Sequence, residues 1–145
     1  MALIDKLPYR DGIDIFESRI DEGEPLNWAK RIIGRWLPQA SEEELEPALR
    51  RVALYYWLGR TIKPLGRQAR KRPVNWDDRG IIWLLGFVWE FYGRECGTGN
   101  DAPSHFQAFV HEAILMIDPQ RPEHSLPGRQ AFRTTKDRRA RTADL

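Results

Sequence analysis

The stretch from about Asp77 to Glu95 constrains the fold of this chain more than any other part of its sequence. Placed on a helix, its apolar residues cover about half of the circumference, which is already a broad core-facing stripe. Trp83 and Phe87 add aromatic side chains on the opposite side. A helix that is apolar nearly all round is buried on more than one side. We therefore expect it to be the centre of a helical bundle, or to offer its second face to another chain.

Four other segments show the apolar spacing of amphipathic helices, and no segment alternates clearly enough to predict a half-buried strand. They span about 13–22, 25–37, 41–58 and 103–117. The sequence contains no internal repeat. Together with the apolar helix, these segments predict an all-α protein that folds as a compact bundle of four to five helices.

Residues that favour helix starts support these assignments. Asp11 is suited to cap the first helix, and Pro25 is suited to the first turn of the second. Ser41 and Glu44 form a capping-box pattern at the start of the third helix. Pro47 leaves two versions of that helix open, because a proline either kinks a helix or occupies its first turn.

The helix ends are predicted from glycine and proline. Gly59 is expected to end the third helix, and Gly97 or Gly99 the apolar one. Asp118-Pro119 is expected to end the last helix. We therefore predict one helical domain over residues 1–118.

Residues 119–145 differ from the rest in composition, since they carry seven basic and three acidic side chains and few apolar ones. This composition predicts a basic C-terminal tail that is extended and flexible unless a partner orders it. Cys96 is the single cysteine, the longest apolar run ends at Glu90, and the first residues do not form a signal peptide. We therefore expect a cytoplasmic protein that does not contact membranes.

Positive charge is concentrated in one internal segment and in the tail. Residues 60–73 contain no acidic side chain and six basic ones: Arg60, Lys63, Arg67, Arg70, Lys71 and Arg72. The tail adds Arg138, Arg139 and Arg141. Clustered arginines bind phosphates with bidentate hydrogen bonds and release counterions, which suggests nucleic acid as a partner. A solvated loop and a solvated tail are the alternative interpretation.

Residues suited to catalysis or metal binding do not form a known pattern. Cys96, His105, His111 and His124 lack the spacing of a zinc site. His111 and Glu112 begin like H-E-x-x-H, but the second histidine is missing. We expect neither a catalytic residue nor a metal or other cofactor.

Three functional hypotheses remain from the sequence. The leading one is a small non-enzymatic binding protein that contacts nucleic acid through the basic segment and the tail. The second is an inhibitor or adaptor, antitoxin-like, that binds a protein or a second copy of itself through aromatic residues exposed on helix faces: Trp57, Trp83 and Phe87. The third is an enzyme or small-molecule binder with a pocket between helices, lined by Glu90, Tyr92 and His111.

Overall fold

The computed structural model describes residues 2–62, 76–94 and 105–132, and these ranges contain helices and no β-strand. The α-helices are α1 (Leu3–Lys6), α2 (Glu24–Arg35), α3 (Glu42–Ile62), α4 (Trp76–Phe91) and α5 (His105–Ile117). Two 3₁₀ helices lie at Ile13–Arg19 and Glu123–Ser125, and a further helical turn lies at 129–132. The predicted all-α class is confirmed.

The long helix α3 is the element on which most of the described helices pack. It contacts α1, the first 3₁₀ helix, α2 and α4, whereas α4 contacts α3, α1 and α5. Ala48 and Ala53 are fully buried on α3, and their small side chains allow neighbouring helices to approach closely. The apolar helix that was predicted to be central is α4, but α3 contacts more of the described helices and fits that description better.

The first predicted helix is a 3₁₀ helix, and it is shorter than the 13–22 expected from its apolar spacing. Gly12 precedes it in the left-handed conformation (φ 85°), so Asp11 does not cap it. The N–H of Ile15 bonds to the carbonyl of Gly12, the three-residue spacing of a 3₁₀ helix. At Ile20 the backbone is already extended. The hydrogen bonds of a 3₁₀ helix are less well aligned than those of an α-helix, so a 3₁₀ helix remains short.

The start of α3 matches the capping pattern in the sequence. The backbone N–H of Glu44 donates to Ser41 Oγ at 3.3 Å, so Ser41 is the N-cap. The Glu44 carboxylate does not close a capping box, because it accepts from the backbone N–H of Leu3 at 3.4 Å. Pro47 lies inside one helix that begins at Glu42. Gly59 does not end that helix, which extends to Ile62.

α4 ends earlier than predicted, at Phe91 instead of near Glu95. Gly93 is left-handed (φ 81°), and the N–H of Arg94 donates to the carbonyl of Trp89, which together form a Schellman C-cap. Gly93 therefore provides the stop that the sequence analysis assigned to later glycines.

The fold continues beyond the predicted domain end at residue 118. Phe132 is buried and packs edge-on against Phe106 of α5, with ring centroids 5.8 Å apart. His111 Nε2 donates to the carbonyl oxygen of Pro127 at 2.8 Å. Residues 119–132 therefore run back along α5 as part of the domain. Composition did not predict that this segment packs on the domain, since it has few apolar residues. One of its buried side chains is the charged Arg121.

Candidate functional site

The predicted nucleic-acid-binding residues fall mostly outside the described ranges. Arg60 is described: it is half-buried near the end of α3, with its guanidinium 5.9 Å from the ring centroid of Tyr56. The other predicted contacts that lie outside the described residues are Lys63, Arg67, Arg70, Lys71, Arg72, Arg138, Arg139 and Arg141.

The structure does describe the residues that precede the two basic stretches, at the end of α3 and at Phe132. Tyr56 donates to Asp118 at 2.7 Å, which brings the end of α3 next to the end of α5. Phe132 packs at the opposite end of α5, on Phe106. A helix of 13 residues is about 20 Å long. Tyr56, near the end of α3, and Phe132 thus contact opposite ends of α5.

The predicted aromatic interface is covered more than the sequence suggested. Trp57, Trp83 and Phe87 are half-buried and pack against the hydrophobic core. Trp83 and Phe87 contact each other edge to face at 4.9 Å. The guanidinium of Arg19 covers the Trp57 ring at 5.0 Å. Among the described residues, the large apolar side chains that are mostly exposed are Tyr9 and Ile15 instead.

A buried ion pair joins α4 to the segment that follows α5. Arg121 donates from Nη1 and Nη2 to the two carboxylate oxygens of Asp78, at 2.8 and 2.7 Å. Both side chains are almost fully buried, at 3% and 5% exposure. Arg121 Nε also donates to Ser125 Oγ, and Nη2 donates to the Ser125 carbonyl. The cluster formed by Asp78, Arg121 and Ser125 is called the buried cluster below.

Arg121 of the buried cluster and the nearby Tyr56 both have shifted pKa values. Burial raises the pKa of Tyr56, and the hydrogen bond to Asp118 raises it further. Burial alone would lower the pKa of Arg121, but the hydrogen bond and the charge of Asp78 outweigh it and raise this pKa. Both shifts favour the protonation states that these hydrogen bonds require at neutral pH.

A second arginine–carboxylate cluster lies where α5 faces α2. The Glu112 carboxylate forms ion pairs with Arg31, at 3.2 Å from Nε, and with Arg35, at 3.3 Å from Nη1, and it accepts a hydrogen bond from the indole N–H of Trp36. The side chain of Glu112 is only 13% exposed, whereas those of Arg31 and Arg35 are 60% and 63% exposed. The guanidinium of Arg35 lies over the Trp36 ring at 5.7 Å.

This cluster forms one wall of an open groove of about 340 Å³. We call it the α2–α5 groove, and its lining residues are Arg31, Arg35, Trp36, Ala108, Glu112, Leu115 and Met116. The groove exists because α2 packs mainly on α3, which leaves a gap beside α5. Trp36 fills the base of that gap, where its ring contacts Trp89 and Phe109 edge-on. The arrangement offers cationic donors at the rim and an apolar floor.

The sequence analysis missed the groove, although one signal for it was present. Arg31 and Arg35 are four residues apart on an amphipathic helix, so they share a face. In the sequence, Glu112 stands out only as part of an incomplete zinc motif. The pocket residues that were proposed do not line this groove: Glu90 is exposed, and His111 bonds to Pro127.

Within the part of the chain that the structure describes, the histidines do not form a cluster with other metal-ligand side chains. In the described ranges, no group of three or more His, Cys, Asp or Glu side chains is placed to hold a metal ion. Cys96 lies outside those ranges. Within the same part of the chain, no helix has both the length and the apolar character needed to cross a bilayer.

Comparison of the chain with protein-family models, with curated proteins and with solved structures gives no match.

Proposed function

We propose that this protein is a small non-enzymatic binding protein that contacts nucleic acid through residues 60–73, assisted by the arginines of the C-terminal tail. The observation that carries the proposal is the charge pattern, because six basic side chains occur in this segment without an acidic one. Arginine predominates in both regions, and its planar fork matches the geometry of phosphate oxygens.

The flanking structure supports this proposal. The basic segment connects α3 to α4, and both helices are tied into the core close to where they meet it. On the α3 side, Tyr56 bonds to Asp118, and on the α4 side, Asp78 bonds to Arg121. A binding segment held at both ends by a rigid scaffold loses less entropy when it contacts a ligand.

The test is the salt dependence of binding to mixed-sequence duplex DNA, measured by fluorescence anisotropy. A variant with R67Q, R70Q, K71Q and R72Q loses four candidate phosphate contacts. Its slope of log K against log salt should therefore be shallower by about 3 to 4. A control variant carries K6Q, R10Q, R19Q and K30Q, which remove the same charge from exposed positions elsewhere. The control should keep the slope of the original protein.

Equal slopes in the two variants would contradict the proposal, because net charge and not the segment would then set the affinity. Affinity that does not change between low and moderate salt would contradict it as well. The triple change R138Q, R139Q and R141Q should reduce the slope by a smaller amount, up to about 3, if the tail assists.

A second candidate function is protein binding through Trp57, Trp83 and Phe87. The observation that favours it is that these large rings are only partly buried, and that the indole Nε1 of Trp57 has no hydrogen-bond partner within the described structure. Size-exclusion chromatography with light scattering on the protein alone tests the version in which the partner is a second copy. A dimer that W83A converts to a folded monomer would support it. A monomer, or an unfolded variant, would assign the rings to the core.

A further inference from the structure

The α2–α5 groove presents more hydrogen-bond donors than the fold itself uses. A guanidinium has five N–H donors, and Glu112 lies at ion-pair distance from one nitrogen of Arg31 and one of Arg35. The remaining donors are on side chains that are more than half exposed. We propose that this groove binds a segment of a partner protein in which a carboxylate side chain stands next to an apolar one.

Charge complementarity supports an acidic occupant. The groove contains two guanidinium groups and one carboxylate, so it has a net positive charge. Glu112 pairs with both arginines, and the hydrogen bond from the Trp36 indole fixes the position of its carboxylate. The arginines are thereby pre-oriented, which lowers the entropy lost when a second carboxylate binds between them.

The floor of the groove supports an apolar neighbour for that carboxylate. Ala108, Leu115 and Met116 are half-buried and line it together with the Trp36 ring. A volume of about 340 Å³ is small for a ligand site and fits one or two side chains. Trp, Arg and Met are also the residue types that are enriched at the centres of protein interfaces.

The same geometry disfavours nucleic acid as the occupant. A phosphodiester placed between Arg31 and Arg35 would pair with the arginines only, because the apolar floor formed by Leu115 and Met116 would give it no partner. A peptide segment uses both parts of the groove, since its acidic side chain pairs with the arginines and its apolar side chain covers Leu115 and Met116.

The test uses two arrays of short synthetic peptides and the full-length protein. Each peptide of the first array has one Asp or Glu beside Leu, Ile, Met or Phe, and the second array replaces each acid by Asn or Gln. We expect the strongest acidic peptides to bind at least about tenfold more tightly than their amide counterparts. The same peptides should shift the indole N–H resonance of Trp36 in ¹⁵N spectra, which W36F identifies.

Three variants separate binding from folding. R31Q/R35Q should lose the preference for acidic peptides while its melting temperature stays close to that of the original protein. R10Q/R129Q, which removes the same charge from exposed positions, should keep the preference. E112Q should bind the acidic peptides several times more tightly, because Gln keeps an acceptor oxygen that orients the arginines while it no longer repels the incoming carboxylate. A role confined to joining the two helices would instead lower the melting temperature without changing the preference.

The proposal is overturned if the two arrays bind equally, or if R31Q/R35Q keeps the preference. It is also overturned if duplex DNA shifts the Trp36 resonance and the acidic peptides do not, since the groove would then belong to the nucleic-acid surface.

Discussion

The buried cluster and the α2–α5 groove are both built from arginine and carboxylate, yet they differ in what remains available to solvent. In the buried cluster, all three nitrogens of the Arg121 guanidinium donate to Asp78 or Ser125. At the groove, Arg31 and Arg35 share Glu112 and stay more than half exposed. A buried ion pair whose guanidinium nitrogens all donate within the protein can only stabilise the fold. An exposed ion pair with unused N–H donors can also bind a ligand.

The two clusters should therefore differ in energy as well. Removing one partner of a buried pair leaves a charge without water or counter-charge, which is severely destabilising. Exposed pairs contribute little, because solvent screens them and holding long side chains costs entropy. Substitutions that compare the two clusters test this difference directly.

The largest effect is expected for Asp78→Ala. The Arg121 guanidinium would remain buried with its main acceptor gone, so the free energy of unfolding should fall by about 3–5 kcal/mol. Urea denaturation followed by circular dichroism measures it. The double change D78L/R121M should recover most of the loss, because an apolar pair needs no counter-charge. If D78A costs no more than the exposed control E123Q, the pair is not structural.

Glu112→Gln should cost less, about 2 kcal/mol, because Gln keeps one acceptor oxygen and water can reach the freed arginines. Urea denaturation of E112Q beside D78A ranks the two clusters on one scale. A loss as large as that of D78A would mean that Glu112 is primarily a structural tie between α2 and α5.

Tyr56→Phe removes the hydrogen bond to Asp118 and should cost about 1 kcal/mol at neutral pH. Its pH dependence gives a second readout. Burial and this hydrogen bond raise the pKa of Tyr56 above its ordinary value of 10.0. The folded protein keeps the phenol proton where the unfolded chain releases it, so this stability is fully present below about pH 10 and is lost as the pH rises further.

Unfolding free energies measured on both sides of pH 10 should therefore converge between the original protein and Y56F at the alkaline end. A constant difference across this range would show that the phenol does not titrate differently in the two states.

The smallest effect is expected for Arg35→Gln and Arg31→Gln taken singly. Each should change stability by about 0–1 kcal/mol at low salt, and this difference should shrink further when the ionic strength is raised. Thermal melts at two salt concentrations measure it. A salt-independent loss above about 2 kcal/mol would place these arginines with the buried cluster.

Local signals predicted the helices that carry a strong apolar period. The apolar residues of α5, from Phe106 to Ile117, are buried at the expected positions. The Ser41 cap was also predictable, because capping depends on residues within one turn. Prediction was poorer at Ile13–Arg19, where a left-handed glycine and a short segment favoured a 3₁₀ helix. It was also poorer at α4, which Gly93 ends before the later glycines are reached.

The two arginine–carboxylate clusters could not be predicted from residues that are close in sequence. Asp78 and Arg121 are 43 positions apart, and Trp36 and Glu112 are 76 apart, so no spacing rule connects either pair. Arg121 lies in a stretch whose composition resembled a solvated tail, and only burial against α4 changes that interpretation.

The sequence by itself therefore determined the all-α class, the core faces of the periodic helices and the concentration of positive charge between α3 and α4. These follow from helical geometry and composition, which act over a few residues. The tertiary structure decided which arginines use their hydrogen-bond donors within the protein and which keep donors accessible to a ligand. This depends on which distant carboxylate each arginine contacts and on how far the ion pair is exposed to water.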